Sequence, residues 1–304
     1  MNKKILLTGA FPYSGQQLSE IEQAGCDIIF MQNESSALPE GAEATEMVVC
    51  NGLFLSHDIS LFKELRFIQL TSAGLDRVPL DAIKERGIQL YNARGVYSIP
   101  MAEWAVMRVL EFYKEASFFA DSQNRHSWGK NRGLKEINGK TVGIVGAGSV
   151  GNEVAKRFQC FGATCVGYDV FDVSSPYFSR IEKIDVLGNQ VETLDIIVLT
   201  APHTAETHHM INKNLLMKMK KDAVIVNIAR GGLINEKELT KTLSERKDIR
   251  AALDVFEVEP LVTESPLWDM ENVEVSPHNS FVSDQNNARL FNLIKENIQS
   301  YINK

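Results

Sequence analysis

The sequence predicts an α/β fold in two domains, built on mainly parallel sheets. Three observations lead there. Apolar runs of strand length alternate with segments of helical periodicity along most of the chain, the order that parallel sheets require. The length, 304 residues, suits about two domains. Near the middle, the apolar run Val142 to Val145 breaks into Gly146-x-Gly148-x-x-Gly151 and passes into a helical pattern with Val150, Val154, Ala155 and Phe158 on one face.

A glycine turn between strand and helix aims free backbone N–H groups and the positive end of the helix dipole at one point, which suits a pyrophosphate. Gly146 permits the tight turn, Gly148 lets phosphates approach the backbone, and Gly151 lets helix and strand pack closely. The spacing alone is weak evidence. The discriminating feature is an acidic residue about 20 positions on, at the end of the next strand. Ala163 to Tyr168 reads as that strand and ends in Asp169, 18 residues past Gly151. A carboxylate there takes the ribose hydroxyls and repels a 2′-phosphate, so the predicted cofactor is NAD rather than NADP. The competing reading is a tight turn followed by a surface aspartate.

The composition, 44% hydrophobic and 23% charged, is ordinary for a globular chain. A net charge of −7 argues against a nucleic-acid partner. The first apolar run is short, is broken by Gly9 and Pro12, and does not resemble a secretion signal. No run approaches the length that spans a bilayer. A cytoplasmic protein with no membrane partner is expected. Cys26, Cys50, Cys160 and Cys165 form no CxxC pair and no metal-ligand pattern, so four buried, reduced thiols and no metal are expected.

Taken in order, strands are predicted at Lys4–Thr8, Asp27–Met31, Glu46–Cys50, Phe67–Thr71 and Ile88–Tyr91, with helices at Gln16–Ala24 and Leu80–Arg86, each stopped by a glycine. A long helix follows, with Pro100 in its first turn. Met101, Ala105, Val109, Phe112, Ala116 and Phe119 keep its period to about Asp121, on more than one face, which suits a domain connector or a subunit contact. A polar, basic loop, Asn124 to Arg132, leads to the glycine turn. After Asp169 comes a polar stretch, then strands Asp195–Leu199, Ala223–Ile228, Ile249–Leu253 and Val273–Val275, with helices Asn212–Lys218 and Glu236–Arg246 between them. Ser283 is the expected cap of a last helix whose Phe291, Ile294, Ile298 and Tyr301 share an apolar face.

In open α/β sheets ligands bind beyond the carboxyl ends of the strands. Gly146, Asp169, Pro202, Arg230, Asp254 and His278 all stand at such ends or just after. Arg230 has the planar fork that holds a carboxylate at two points, or else is a surface arginine in a turn. Glu259 and His278 can form a carboxylate-supported acid/base near neutral pH; singly, each is as readily a loop residue. In that order on a dinucleotide-binding sheet they supply what hydride transfer to a ketone needs: a cation, a proton donor and a group to hold the donor. His203, His208 and His209 lack a carboxylate or cysteine cluster and read as loop and helix-entry residues rather than a metal site.

The chain resembles the D-isomer-specific 2-hydroxyacid dehydrogenase family along nearly its whole length. The matching stretches are Thr71 to Asp76, Asn92 to Gly95, Met101 to Glu103, Thr141 to Gly151, Val226 to Gly232, Ala252 to Pro260 and Ser276 to His278. The resemblance implies a flavodoxin-like substrate domain, residues 1–98 plus 280–304, around an inserted Rossmann-type NAD domain, residues 99–279 with the connector helix. It implies that Arg230 binds the substrate carboxylate and carbonyl, that His278 is the proton donor and that Glu259 supports it. It assigns the N–H groups of Ala73 and Gly74 to the carboxylate and Asp254 to the nicotinamide amide. It places Gly146, Gly148, Ser149, Val150, Gly151, Asp169, Thr200, Pro202, Thr207, Ile228, Ala229, Asp254 and His278 around the cofactor. A homodimer through the long helix is also implied.

Two positions depart from the family. Many members carry histidine where Thr200 stands, a change at a position placed against the cofactor. Many also carry histidine where Trp104 stands, and packing is the favoured role for this tryptophan. The function implied is NADH-dependent reduction of a 2-keto acid to a D-2-hydroxy acid. The alternative is an NAD-sensing, corepressor-like binding protein on the same fold. Formate dehydrogenase relatives pair their histidine with glutamine, and Glu259 argues against that branch.

Overall fold

The structure is a computed structural model that describes residues 2–303. It divides into two compact units, Met1–Tyr97 with Ser283–Lys304, and Ser98–Val282.

The first unit holds five parallel strands: β1 (Lys3–Thr8), β2 (Cys26–Met31), β3 (Met47–Cys50), β4 (Phe67–Leu70) and β5 (Gln89–Tyr91). Their order, β2-β1-β3-β4-β5, is that of a flavodoxin-like sheet. Alternate residues feed two cores, as the pleat requires. Ile5, Leu7, Met47, Val49 and Phe67 pack on one face beneath Phe291, Ile294 and Ile298 of the helix Asn286–Ile302. Leu6, Val48, Ile68 and Leu70 pack on the other with Leu53 and Phe62. The last helix starts later than Ser283. Its N-cap is Gln285, and Ser283 Oγ accepts the Gln285 N–H instead.

The second unit holds β6 (Thr141–Val145), β7 (Thr164–Asp169), β8 (Arg180–Lys183), β9 (Ile196–Leu199), β10 (Val224–Asn227), β11 (Arg250–Leu253) and β12 (Val273–Val275). All pair in parallel in the order β12-β11-β10-β9-β6-β7-β8. The chain runs outward from β6 to β8, then returns to β9 on the other side of β6. The crevice at that reversal is where this architecture binds ligands. Strands β9 and β10 are buried at every residue, which is why they read as continuous apolar runs.

The long helix is interrupted. It runs Ser98–Tyr113, Glu115 takes a left-handed conformation at φ 51°, and a second helix runs Ala116–Asn124. Arg250 explains the break: it donates to the Phe112 carbonyl at the end of the first helix and to the Glu115 carboxylate in the bend. Trp104 packs against the core of this unit, with the Arg108 guanidinium 4.8 Å above its ring. Cys26, Cys50 and Cys165 are buried, and burial pushes the Cys26 thiol up to about 11 and the Cys165 thiol up to about 12. Cys160 departs from the expectation of four buried thiols: it is exposed on the outer face of the helix Ser149–Cys160. Among the described residues no helix is long and apolar enough to cross a membrane.

Candidate active site

The three glycines of the turn after β6 have three different causes. Gly146 is left-handed, at φ 96°, and a Cβ on it would stand 2.7 Å from the Ala201 nitrogen. Gly151 opens the helix against the turn; a Cβ there would stand 2.0 Å from the Gly146 carbonyl oxygen. Neither could move aside, because both neighbours are backbone. A Cβ on Gly148 would meet nothing within 4 Å. The open side of the turn is therefore at Gly148, next to the first-turn N–H groups of Ser149 and Val150, which have no intrahelical acceptor. Room and unclaimed donors together fit a phosphate.

Asp169 ends β7 beside this turn. Its Oδ2 accepts the Ala147 N–H at 2.7 Å and its Oδ1 the Phe171 N–H at 3.0 Å. The carboxylate is thus held at the mouth of the glycine turn. Thr200, after β9, donates its hydroxyl to the carbonyls of Val145 and Gly146 (3.0 and 2.7 Å), stitching the two strands that flank the reversal. Further along the same loop, Thr207 is buried, and its Oγ1 donates to the Pro202 carbonyl at 2.8 Å and accepts from the Thr204 N–H at 2.7 Å. Ile228 and Ala229 are buried just beyond β10, where Ala229 N–H donates to Asn227 Oδ1 at 3.1 Å. Ser149 Oγ lies 2.8 Å from Ser98 Oγ.

Arg230, Glu259 and His278 follow β10, β11 and β12, three neighbouring strands. Arg230 is half-buried and its Nη1 donates to the Ala229 carbonyl at 2.8 Å. Gly231 brings its turn hard against the next loop: a Cβ there would stand 1.8 Å from the Phe256 carbonyl carbon. In that next loop, Glu259 Oε1 accepts the Phe256 N–H at 3.0 Å, and Glu259 Oε2 lies 2.8 Å from His278 Nδ1. With Nδ1 engaged, Nε2 is the ring nitrogen left to exchange a proton with a ligand.

Asp254 does something sequence reasoning missed. It is fully buried, and its carboxylate accepts from the Ser276 hydroxyl, the Asn279 N–H (2.8 Å) and the Ser280 N–H (2.9 Å), while its carbonyl accepts the His278 N–H at 2.8 Å. It anchors the loop that presents His278, whose backbone is left-handed at φ 51°. The signal was an aspartate ending an otherwise apolar strand, where a buried charge needs several donors.

In the first unit, Ala73 and Gly74 follow β4. Their carbonyls accept from Asn92 Nδ2 (2.7 Å) and Ser72 Oγ (3.1 Å), and among the described residues neither N–H donates to a protein group. Among the described residues no group of three or more His, Cys, Asp or Glu is placed to hold a metal ion.

Sheet order, chain reversal, glycine turn and terminal acid define a Rossmann-type dinucleotide-binding protein. Residues 106–280 match the NAD-binding domain of the D-isomer specific 2-hydroxyacid dehydrogenases. The chain is 32% identical over 304 residues to a D-3-phosphoglycerate dehydrogenase of Methanocaldococcus jannaschii, covering 98% of itself and 57% of that longer relative. It is 36% identical over 250 residues to a glyoxylate/hydroxypyruvate reductase of Arabidopsis thaliana, covering 80% of itself and 76% of the relative. A crystal structure of a D-isomer specific 2-hydroxyacid dehydrogenase family protein from Aeromonas salmonicida is similar at a TM-score of 0.86 and 27% identity, over 100% of this chain and 96% of that one. The chain belongs to the D-isomer specific 2-hydroxyacid dehydrogenase family, and its cofactor is NAD.

Proposed function

We propose that this chain reduces a 2-keto acid to a D-2-hydroxy acid with NADH. The observation that carries the proposal is the contact of His278 Nδ1 with Glu259, made on adjacent strand ends of the NAD-binding sheet and beside the Arg230 turn. When bound, NADH supplies the hydride that reaches the keto carbon. Arg230 holds the substrate carboxylate and draws charge from the carbonyl. In the first unit, the unclaimed N–H groups of Ala73 and Gly74 suit an anionic group. His278 gives its Nε2 proton to the carbonyl oxygen as charge develops there, and Glu259 keeps the ring oriented. Asp169 favours NADH over NADPH by meeting ribose hydroxyls and repelling a 2′-phosphate. The named relatives are dehydrogenases and reductases, which favours catalysis over the corepressor-like alternative.

The relatives' names include reductases of glyoxylate and hydroxypyruvate, so short 2-keto acids head the candidates. The open apolar groove lined by Val106, Met107, Leu110 and Phe161 suits a second copy of the chain, to be read by sedimentation. The deciding assay follows NADH oxidation with a panel of 2-keto acids, with NADPH in parallel. Turnover of at least one keto acid with NADH is expected. No turnover of any of them, with NADH binding intact, overturns the reading.

A further inference from the structure

The loop after β9 carries three histidines for which the proposed reaction has no use. His203 Nε2 lies 3.0 Å from His208 Nδ1. The His208 ring stacks on His209, centroids 3.7 Å apart and planes 24° apart. His209 Nε2 is shut off from solvent and lies 2.9 Å from Glu257 Oε1, a close contact without hydrogen-bond geometry. Glu257 is itself fixed: its Oε1 accepts the Glu236 N–H at 2.8 Å, and its own N–H donates to Glu236 Oε2 at 3.1 Å. Only two ring nitrogens converge at one point, His203 Nε2 and His208 Nδ1, too few for a metal centre.

The neighbouring glycines show what this row touches. Gly231 presses on the backbone of Phe256 and Glu257, where a Cβ would stand 2.4 Å from the Glu257 nitrogen. Gly232 presses on a different neighbour, where a Cβ would stand 2.7 Å from the His203 ring. The His209 N–H donates to the Gly232 carbonyl at 2.8 Å. The turn that bears Arg230 is therefore in close contact with both the Glu257 backbone and the His203 ring. These two are joined to each other through His208 and His209, so a chain of contacts runs beside the turn.

We propose that His203, His208, His209 and Glu257 form a clasp that positions Arg230 for the substrate carboxylate. They are positioning residues that act through the Arg230 turn. The proposal rests on the reading that Arg230 binds that carboxylate. Two-point binding by a planar fork demands both place and direction. A displacement of about 1 Å made away from the reacting atoms can cost on the order of 100-fold.

The test is steady-state kinetics on the full chain, with NADH affinity by fluorescence titration. His203→Ala removes the ring that meets Gly232. His209→Ala removes the contact with Glu257, and His209→Gln keeps a polar side chain of similar reach there. Arg230→Lys is run in parallel. Expected for both alanine variants is a KM for the keto acid raised about ten-fold, a kcat changed far less, and NADH affinity unchanged. His209→Gln should recover most of the lost KM. Unchanged KM in both alanine variants, while Arg230→Lys raises it, overturns the clasp and leaves the role of Arg230 standing. Loss of NADH affinity in step with KM also overturns it, since the row would then support the whole unit. An Arg230→Lys variant with unaltered KM defeats the underlying reading instead.

Discussion

His278 Nδ1 lies 2.8 Å from Glu259 Oε2, although 19 residues separate the two in sequence. The contact fixes which ring nitrogen faces a ligand. Truncating the ring in His278→Ala should lower kcat on the order of 10²–10⁴-fold and leave NADH binding intact. Glu259→Ala keeps the ring but frees its orientation, so a smaller loss is expected, roughly 10- to 100-fold. Rapid-mixing absorbance of NADH measures both. Full turnover in His278→Ala would assign the proton to another group.

The glycine turn separates folding from cofactor binding. Gly148→Ala places its methyl in open space at φ −77°, an ordinary conformation for alanine. The melting temperature should hold, and the Kd for NADH should rise on the order of ten-fold or more as the methyl blocks the phosphates. Gly151→Ala drives its methyl into the Gly146 carbonyl and should cost about 1–3 kcal/mol of stability. Thermal unfolding beside a binding titration distinguishes them. Equal melting temperatures would show that the helix can shift to make room.

Asp254→Ala leaves the Ser276 hydroxyl and the N–H groups of Asn279 and Ser280 without their acceptor. A loss of roughly 3 kcal/mol is expected in urea unfolding, because several donors and a buried network are broken at once. Turnover should fall with it, since the loop carrying His278 loses its anchor. A variant as stable as the parent would mean that water satisfies the loop.

Acid should weaken the second unit through Asp195. Burial by itself would raise its carboxyl. The hydrogen bond from Lys220, the Thr141 N–H and the charges of Lys220 and Lys140 outweigh burial and hold it below the usual range. A carboxyl lowered in the folded state stabilises folding above its unfolded pKa, about 3.9, and that contribution is lost as pH falls through the folded value. Unfolding free energy should therefore drop below about pH 4. Asp195→Asn should be less stable than the parent at neutral pH and lose less over the acid window. Parallel pH profiles for the two would remove Asp195 from the acid response.

Much of this molecule was legible because local signals agree with global ones. The glycine spacing, Asp169 and the apolar runs of β9 and β10 point to one sheet, and strand order alone sets Arg230, Glu259 and His278 on adjacent ends. What was illegible depends on distant partners. The helical period from Met101 to Phe119 runs unbroken through Glu115, and only Arg250 reveals the bend. Strand β8, in a stretch that reads as polar, has only partly buried or exposed residues and so carries no apolar run to mark it. Ser283 has the chemistry of a cap, but the helix begins after Gln285. The histidine row is invisible in sequence because its grip shows only at two glycines.

The most direct measurement follows deuterium from NADH labelled at nicotinamide carbon 4 into product, read by NMR and chiral chromatography. Label on carbon 2 of a D-configured 2-hydroxy acid is the expected result, transferred on the order of 10²–10⁴-fold more slowly in His278→Ala. NADH bound but no label transferred to any 2-keto acid, or label in an L-configured product, would contradict the proposed reaction.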